Sequence, residues 1–169
     1  MDAFPQGDAG PPQDALTPSG RGPSADRPGG FSGWVGRMAR ARWVYPVLAT
    51  LLTYIFWWSS LTKIVGFEAA TAEMAQFGLN PPAAFAALTI AVQLLGAVLV
   101  ICGGRLVWLG AGMLIVMTLG TVPVAHRYWQ MTGIQAILEQ AIVQEHFSVI
   151  GGLLLAVVAA ELRRKAKDT

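Results

Sequence analysis

Two long apolar runs stand back to back near the middle of the chain, at 82–102 and 106–124, and neither contains a charged residue. Each has roughly the 20 residues that an α-helix needs to cross a bilayer. The three-residue joint Gly103–Arg105 predicts a tight turn between antiparallel helices. Because neither run has a polar face to turn towards water, a soluble hairpin is disfavoured. The first helix is predicted to begin after a capping Asn80 and the pair Pro81-Pro82.

Two further apolar stretches flank this hairpin. The earlier one runs from Val44 to about Gly66 and carries threonines and serines, which in lipid bond to their own helix or to a neighbouring one. The later one runs from about His146 to Ala160, and the amphipathic segment before it lengthens it. The sequence thus predicts an all-α, integral membrane four-helix bundle. The predicted spans are 44–66, 82–102, 105–124 and 134–161.

Two amphipathic segments connect the spans on one side of the predicted bundle. In the first, 67–80, apolar residues recur at helical spacing and predict a short helix lying on the membrane surface. In the second, 126–145, a similar stripe faces away from three glutamines and a glutamate. The two stripes are Phe67, Ala70, Met74 and Phe77, and Ile134, Ile137, Leu138, Ala141 and Ile142. In the last span, Gly152, Ala156 and Ala160 recur every four residues, which permits close helix contact.

The basic residues predict the orientation. Ten of the twelve Lys and Arg residues lie in the N-terminal tail, the turn at 103–105 or the C-terminal tail, and only Lys63 and Arg127 fall on the other side. The positive-inside rule then puts both termini in the cytoplasm and the amphipathic segments on the periplasmic side. An even number of spans agrees with this orientation.

Composition sets the domain limits. Apolar residues make up 54% of the chain and charged residues 13%, about half the share usual in soluble domains. Pro and Gly supply 12 of the first 30 residues, a composition that cannot bury enough apolar surface to fold. We predict a disordered cytoplasmic tail at 1–33, the four-helix transmembrane domain at 34–162 and a basic cytoplasmic tail at 163–169. The formal charge of +2 argues against nucleic acid as a partner, and the lipid bilayer is the partner predicted here.

The single cysteine, Cys102, excludes an internal disulfide, a CxxC redox pair and a cysteine zinc site. It is predicted to be a small buried residue at the end of the second span.

Gln93 is the strongly polar side chain predicted near mid-membrane. An uncharged amide in hydrocarbon must form a hydrogen bond with a neighbouring helix, so Gln93 is expected to face the interior of the bundle. Two interpretations stay open, a purely structural bond and a contact with a ligand such as a quinone.

A second set of polar residues is predicted at the outer ends of the spans. Its members are Lys63, His126, Arg127, Glu139, Glu145 and His146. They form either a hydrated interfacial rim or a small polar pocket, within which Lys63, His126 and Glu145 are expected to lie close together. Glu145 is the expected partner of Lys63, with Glu139 second. His126 and His146 are conceivable haem or metal ligands, but neither belongs to a ligand-spaced motif, and we predict no metal and no cofactor bound by the protein alone.

Several short motifs, in this order and spacing, resemble the DoxX family of small four-helix bacterial membrane proteins. They are Ser60-Leu-Thr-Lys63, Phe77-Gly-Leu-Asn-Pro-Pro82, Gln93-Leu-Leu-Gly96, Cys102-Gly103 and a third span that ends in His126. The resemblance covers roughly residues 45–161. The family pattern usually has Gly where Ser60 stands and Glu where Gln93 stands, and losing that carboxylate argues against proton transfer at position 93.

The resemblance implies a multi-pass protein of the bacterial inner membrane, in a family named after a quinol-oxidising respiratory complex. It favours a non-catalytic membrane subunit or scaffold of a redox or stress-response assembly, so the chain alone is not expected to be an enzyme. Two alternatives remain, a quinone-linked oxidoreductase component and a carrier or receptor for a small apolar molecule or lipid. A redox-enzyme partner or a second copy of the chain is the protein partner that this implies, and a quinone is the cofactor left open. The candidate site residues are Lys63, Gln93, His126, Glu145 and His146.

Overall fold

The structure of the protein is a computed structural model that describes residue 33, residues 36–38 and residues 41–168. The predicted disordered tail, apart from its last residue, lies outside the described residues. Every regular element in the described part of the chain is helical. The α-helices are α1 (Val44–Leu52), α2 (Tyr54–Val65), α3 (Phe67–Gln76), α4 (Pro82–Cys102), α5 (Val107–Ala125) and α6 (Gly133–Asp168). Short 3₁₀ turns at Gly104–Leu106 and Tyr128–Gln130 precede α5 and α6.

The predicted membrane bundle is confirmed. The segments Pro82–Cys102, Gly104–Gln130 and Gly133–Ala166 are each long and apolar enough to cross a membrane. Helices α1 and α2 pass the same test together, with a bend of 58° between them, and make a fourth candidate span when the bent pair is counted as one. The apolar run lengths therefore predicted the spans well, and the break inside the first span is the main correction to them.

The break lies at Thr53, where the sequence predicted one continuous helix over 44–66. The Thr53 hydroxyl donates a hydrogen bond to the Ala49 carbonyl at 2.8 Å, and the Thr50 carbonyl accepts one from the Trp57 indole Nε1 at 3.2 Å. A carbonyl that the helical ladder no longer uses is thus satisfied by a side chain, which makes a break tolerable in an apolar medium.

Beyond the break, α2 ends well inside the bundle. Ser60 on α2 is hydrogen-bonded to Gln93, which is about 15 Å from either end of α4 at the helical rise per residue. Trp57 and Trp58 precede Ser60 by less than one turn, so they lie near the level of the middle of α4.

Helix α3 folds back after Gly66 and packs on the start of α4. Ala70 and Met74 are buried against Ala86, in a small cluster with Phe77 and Phe85. The apolar stripe of this segment therefore packs mainly on the protein, and its position at the membrane surface stays a prediction.

The central hairpin of α4 and α5 is held by close backbone contact. A Cβ atom added to Gly110 would lie 2.8 Å from the Gly96 carbonyl oxygen, and one added to Gly96 would lie 2.7 Å from Leu114. Leu114 is fully buried in the main core, together with Val100 and Leu153. Only glycine at both positions allows the two helices to approach this closely.

Helix α6 packs against the start of the bundle's first span and against α5. A Cβ atom on Gly152 would lie 2.6 Å from a Leu52 methyl group, and Ala160 is buried, which agrees with the close contact predicted from the small residues of this span. Near its end, the Arg163 guanidinium lies 5.8 Å from the centre of the Tyr45 ring and donates a hydrogen bond to the Ala41 carbonyl at 3.4 Å.

Two local predictions are wrong. Pro81, not Asn80, is the residue that precedes the first helical residue of α4, and no side chain caps this end. Cys102 is exposed, because it is the last residue of α4 and the chain turns away from the core directly after it.

Candidate functional site

A cavity of about 710 Å³ opens between α2, α3, α4, α5 and α6, and we call it the central cavity. Its wall is mainly apolar, but Lys63, Gln93, His126, Glu145 and His146 all line it. The structure thus brings the five candidate residues from the sequence to one cavity. Whether this cavity is a functional site stays a prediction.

Gln93 lies at the deep end of the central cavity and is only 7% exposed. Its Oε1 accepts a hydrogen bond of 2.9 Å from the hydroxyl of Ser60, which is fully buried. This confirms that Gln93 faces the bundle and bonds to a neighbouring helix. Within the described residues, the Gln93 Nε2 has no hydrogen-bond partner. Every fully enclosed side-chain N or O atom in that part of the chain has a partner, so the Nε2 atom is not fully enclosed. The Nε2 group is therefore an available donor that reaches the cavity.

The other end of the central cavity carries two close acid–base pairs. We call its charged and imidazole residues the mouth cluster, which consists of Lys63, Glu73, His126, Glu139, Glu145 and His146. Among them the charged side chains are one ammonium and three carboxylates. With neutral imidazoles the mouth cluster is consequently acidic.

Lys63 pairs with Glu73, whose carboxylate oxygen Oε2 lies 3.0 Å from the Lys63 Nζ. The pair joins α2 to α3, because the chain folds back at Gly66 and brings Glu73 over the end of α2. The Lys63 side chain is 19% exposed and that of Glu73 is 41% exposed. The expectation that Glu145 would be the partner of Lys63 is therefore wrong.

His126 pairs with Glu139 across the junction of α5 and α6. The imidazole Nδ1 lies 2.7 Å from a carboxylate oxygen of Glu139. The ring of His146 meets that of His126 edge-on, with the centres 4.9 Å apart. Because Glu139 and His146 are seven residues apart on α6, they lie on one face of this helix and hold His126 between them.

Glu145 and Arg127 have different surroundings. Glu145 is exposed and lines the cavity, and it forms no ion pair with another described residue. Arg127 is exposed and does not line the cavity. Arg127 therefore does not belong to the mouth cluster, although the sequence placed it with these residues.

The sequence did not single out Glu73, which completes the mouth cluster. Glu73 lies in the first amphipathic segment, outside its apolar stripe, and its pairing with Lys63 follows only from the direction in which α3 folds back. The only sign of this pairing in the sequence is that Glu73 is a charged residue on an otherwise partly apolar helix.

The site offers hydrogen bonding and charge, not an evident metal centre. No group of three or more His, Cys, Asp or Glu residues in the described part of the chain is arranged to hold a metal ion. The prediction that the protein alone binds no haem or metal remains to be tested. Chemically, the cavity presents an amide donor at its deep end, imidazoles and carboxylates at its mouth and apolar walls between them.

The fold and the site define a small helical membrane protein with a polar-ended internal cavity. The family model described as DoxX matches residues 46–127, just under half of the chain, and the chain is thus similar to this family. It is similar to the inner membrane protein YphA of Escherichia coli (strain K12), with 28% identity over 111 residues that cover 66% of this chain and 77% of YphA. No solved structure gives a significant match.

Proposed function

We propose that this DoxX-like protein binds a small amphipathic molecule within its bundle. The observation that carries the proposal is the central cavity, which joins the available amide donor of Gln93 to the mouth cluster through an apolar wall. Its volume of about 710 Å³ lies in the range of ~300–1,000 Å³ typical of ligand sites. A few convergent polar groups in a mainly apolar wall are also typical of such sites.

The chemistry of the cavity limits the ligand. A carbonyl, ester or ether oxygen would accept a hydrogen bond from the Gln93 Nε2 group, and hydroxyl or amine groups would find acceptors among the carboxylates of the mouth cluster. A quinone ring, with its two carbonyl acceptors, is one member of this class, and a lipid with a neutral head is another. The proposal concerns binding and requires no redox step.

The bacterial inner membrane is the proposed location. It is supported by the apolar helices and by the similarity to YphA, which is described as an inner membrane protein. The ten-to-two distribution of basic residues supports cytoplasmic termini, which would place the mouth cluster towards the periplasm.

A role as a membrane subunit or scaffold of a larger redox or stress-response assembly is the second candidate. The feature that favours it is an apolar surface on the first turns of α6, where Ile134, Ile137 and Leu138 are 68%, 62% and 57% exposed. If this part of α6 stands outside the hydrocarbon, it offers a partner protein a contact surface. Binding an amphipathic molecule and anchoring a partner are compatible functions.

Retention of a small molecule by the purified protein tests the first proposal. The wild-type protein and the Gln93→Leu variant are extracted gently from their native membrane, and organic extracts are analysed by mass spectrometry. The wild-type protein should retain an amphipathic molecule in near-stoichiometric amount, and the variant should lose most of it because the deep donor is gone.

The control is Gln140→Leu, which removes an exposed amide on α6 that does not line the cavity. It should retain as much of the molecule as the wild-type protein. Equal retention by wild type and Gln93→Leu, at equal amounts of inserted protein, would contradict the proposal.

A further inference from the structure

Helices α4 and α5 are in contact at one level and separate at another. They touch at Gly96 and Gly110, where added Cβ atoms would collide with the opposite helix. Two turns closer to the mouth, Thr89 on α4 and Met117 on α5 are both only half-buried. A pair of straight helices that cross at a glycine contact diverges on either side of it. The hairpin therefore opens towards its mouth end.

A second cavity of about 490 Å³ lies along this opening, and we call it the hairpin groove. It is lined by Leu88, Thr89, Val92, Gly112, Met113, Val116 and Met117. Val116 is 72% exposed, so the groove lies on the outer surface of the bundle, which faces lipid in a membrane. A Cβ atom on Gly112 would meet nothing within 4 Å, so this glycine leaves space that the helix packing does not need.

The hairpin groove and the central cavity share part of their walls. Thr89 and Met117 line both, one from each helix of the hairpin. The two spaces are thus neighbours, and the threonine and the flexible methionine form the wall between them. Methionine adapts its shape readily, which suits a side chain at a variable opening.

We propose that the hairpin groove holds the hydrocarbon chain of the same amphipathic ligand whose polar head occupies the central cavity. The ligand is then a chain-bearing membrane lipid that enters sideways from the bilayer between Thr89 and Met117. This inference rests on the proposed function, since it assigns the head to the central cavity.

Depth and charge support this assignment. The mouth cluster lies at the end of the bundle where α5 ends, and the groove residues lie nearer its middle, from about 9 to 15 Å along α4. The part of a lipid head that contacts the mouth cluster would therefore lie nearer the surface than the chain, and a head oxygen that bonds to Gln93 would lie level with the deep end of the groove at Val92. Because the mouth cluster has one ammonium against three carboxylates, a neutral or cationic head is favoured over an anionic one.

Photolabelling with a long-chain monoacylglycerol that carries a diazirine in mid-chain tests the inference. The probe is added to the full-length protein in phosphatidylcholine vesicles, and the labelled peptides are mapped after irradiation. In the wild-type protein the label should fall on the residues of the hairpin groove. The Gly112→Leu variant fills the groove and should lower this labelling by about tenfold, which corresponds to ~1.4 kcal/mol of binding free energy.

The matched control is Gly151→Leu. Gly151 is an exposed glycine of α6 at which an added Cβ atom also meets nothing within 4 Å. It should label as the wild-type protein does. If Gly112→Leu inserts poorly, Val116→Trp blocks the groove from the lipid side and should give the same loss.

The outcomes separate the two proposals. Labelling that depends on Gln93 but does not change in Gly112→Leu and Val116→Trp would overturn the sideways route and leave the binding proposal standing. Labelling that is the same in the wild-type protein and in Gln93→Leu would show only lipids surrounding the protein, and would overturn both proposals for this class of lipid.

Discussion

Ser60 donates a hydrogen bond to Gln93 across the interface of α2 and α4, with 2.9 Å between Oγ and Oε1. These are the two positions at which the sequence differs from the pattern of the DoxX family that it resembles, for which Gly and Glu are expected. The structure shows that the two departures contact each other. A hydroxyl that donates to an uncharged amide gives the buried position a partner without placing a carboxylate in the membrane.

The first prediction concerns this bond. Ser60→Ala should lower the free energy of unfolding by about 1–3 kcal/mol, because it leaves the buried Gln93 oxygen without a donor. In combination with Gln93→Leu the same change should cost much less, since the unpaired acceptor is then also gone. Thermal unfolding in a mild detergent measures the four proteins of this cycle. Strictly additive effects would contradict the bond.

The second prediction concerns the pair of Lys63 and Glu73. Glu73→Gln should destabilise the protein by about 1–2 kcal/mol, less than a fully buried pair because Glu73 is partly exposed. The reversal Lys63→Glu with Glu73→Lys should recover most of this loss. Thermal unfolding gives the stabilities, and the retained amphipathic molecule is measured alongside. Lys63→Ala should reduce retention while the amount of protein in the membrane stays normal.

Two variants serve as controls for this pair. Glu145→Gln and Arg127→Ala should leave the stability nearly unchanged, because Glu145 has no ion pair among the described residues and Arg127 is exposed outside the cavity. A cost for Glu145→Gln as large as that for Glu73→Gln would show that the pairing at the mouth is different.

The third prediction concerns the charge of the ligand. At neutral pH, a monoacylglycerol should compete for the central cavity about tenfold better than a fatty acid of the same chain length, since an ionised carboxylate meets an acidic mouth cluster. Competition against the diazirine probe measures this ratio. Removing one negative charge with Glu145→Gln should narrow it. A preference for the fatty acid would be inconsistent with the assigned charge of the mouth.

The fourth prediction concerns orientation. Reporter fusions placed after Gly103 and after Thr169 should both report the cytoplasm, because ten of the twelve basic residues lie on that side of the predicted bundle. A periplasmic signal from either position would contradict the predicted topology. Periplasmic signals from both would place the mouth cluster towards the cytoplasm.

The fifth prediction concerns the N-terminal tail. Deleting residues 1–33 should leave insertion and thermal stability unchanged, since this stretch has no apolar periodicity that could pack on the bundle. The amount of protein in the membrane and its unfolding temperature are compared with those of the whole chain. A truncated protein that inserts poorly or unfolds several degrees earlier would contradict this.

The sequence predicted the spans because an uncharged run of the right length has few alternatives in a bilayer. It did not predict the break at Thr53, because Thr50 makes the same kind of hydrogen bond without a break. The Thr50 hydroxyl bonds to the Pro46 carbonyl four residues back, and Thr53 bonds in the same way to Ala49. Only the second coincides with a break, so the bond itself does not mark the site. What differs is the Trp57 indole, which takes up the freed Thr50 carbonyl.

The sequence predicted which residues line the candidate site better than it predicted which of them pair with each other. Polar residues at span ends and one amide at mid-membrane were visible as exceptions to an apolar pattern, and all five candidates line one cavity. The partner of Lys63 could not be predicted from the sequence, because it depends on the direction in which α3 folds after Gly66. Periodicity reports which side of a helix is polar, but it does not report what that side will meet.

Helix α6 has a mechanical consequence. It is continuous from Gly133 to Asp168, and it is in close contact with Leu52 at Gly152. This contact is a point about which the helix could tilt. Glu139 lies about 20 Å to one side of that point and Arg163 about 16 Å to the other. A tilt of about 5° would move each end by about 1.5 Å in opposite directions. Helix α6 thus acts as a lever, and a shift of Glu139 at the mouth would be transmitted to Arg163, which packs on Tyr45 at the opposite end of the bundle.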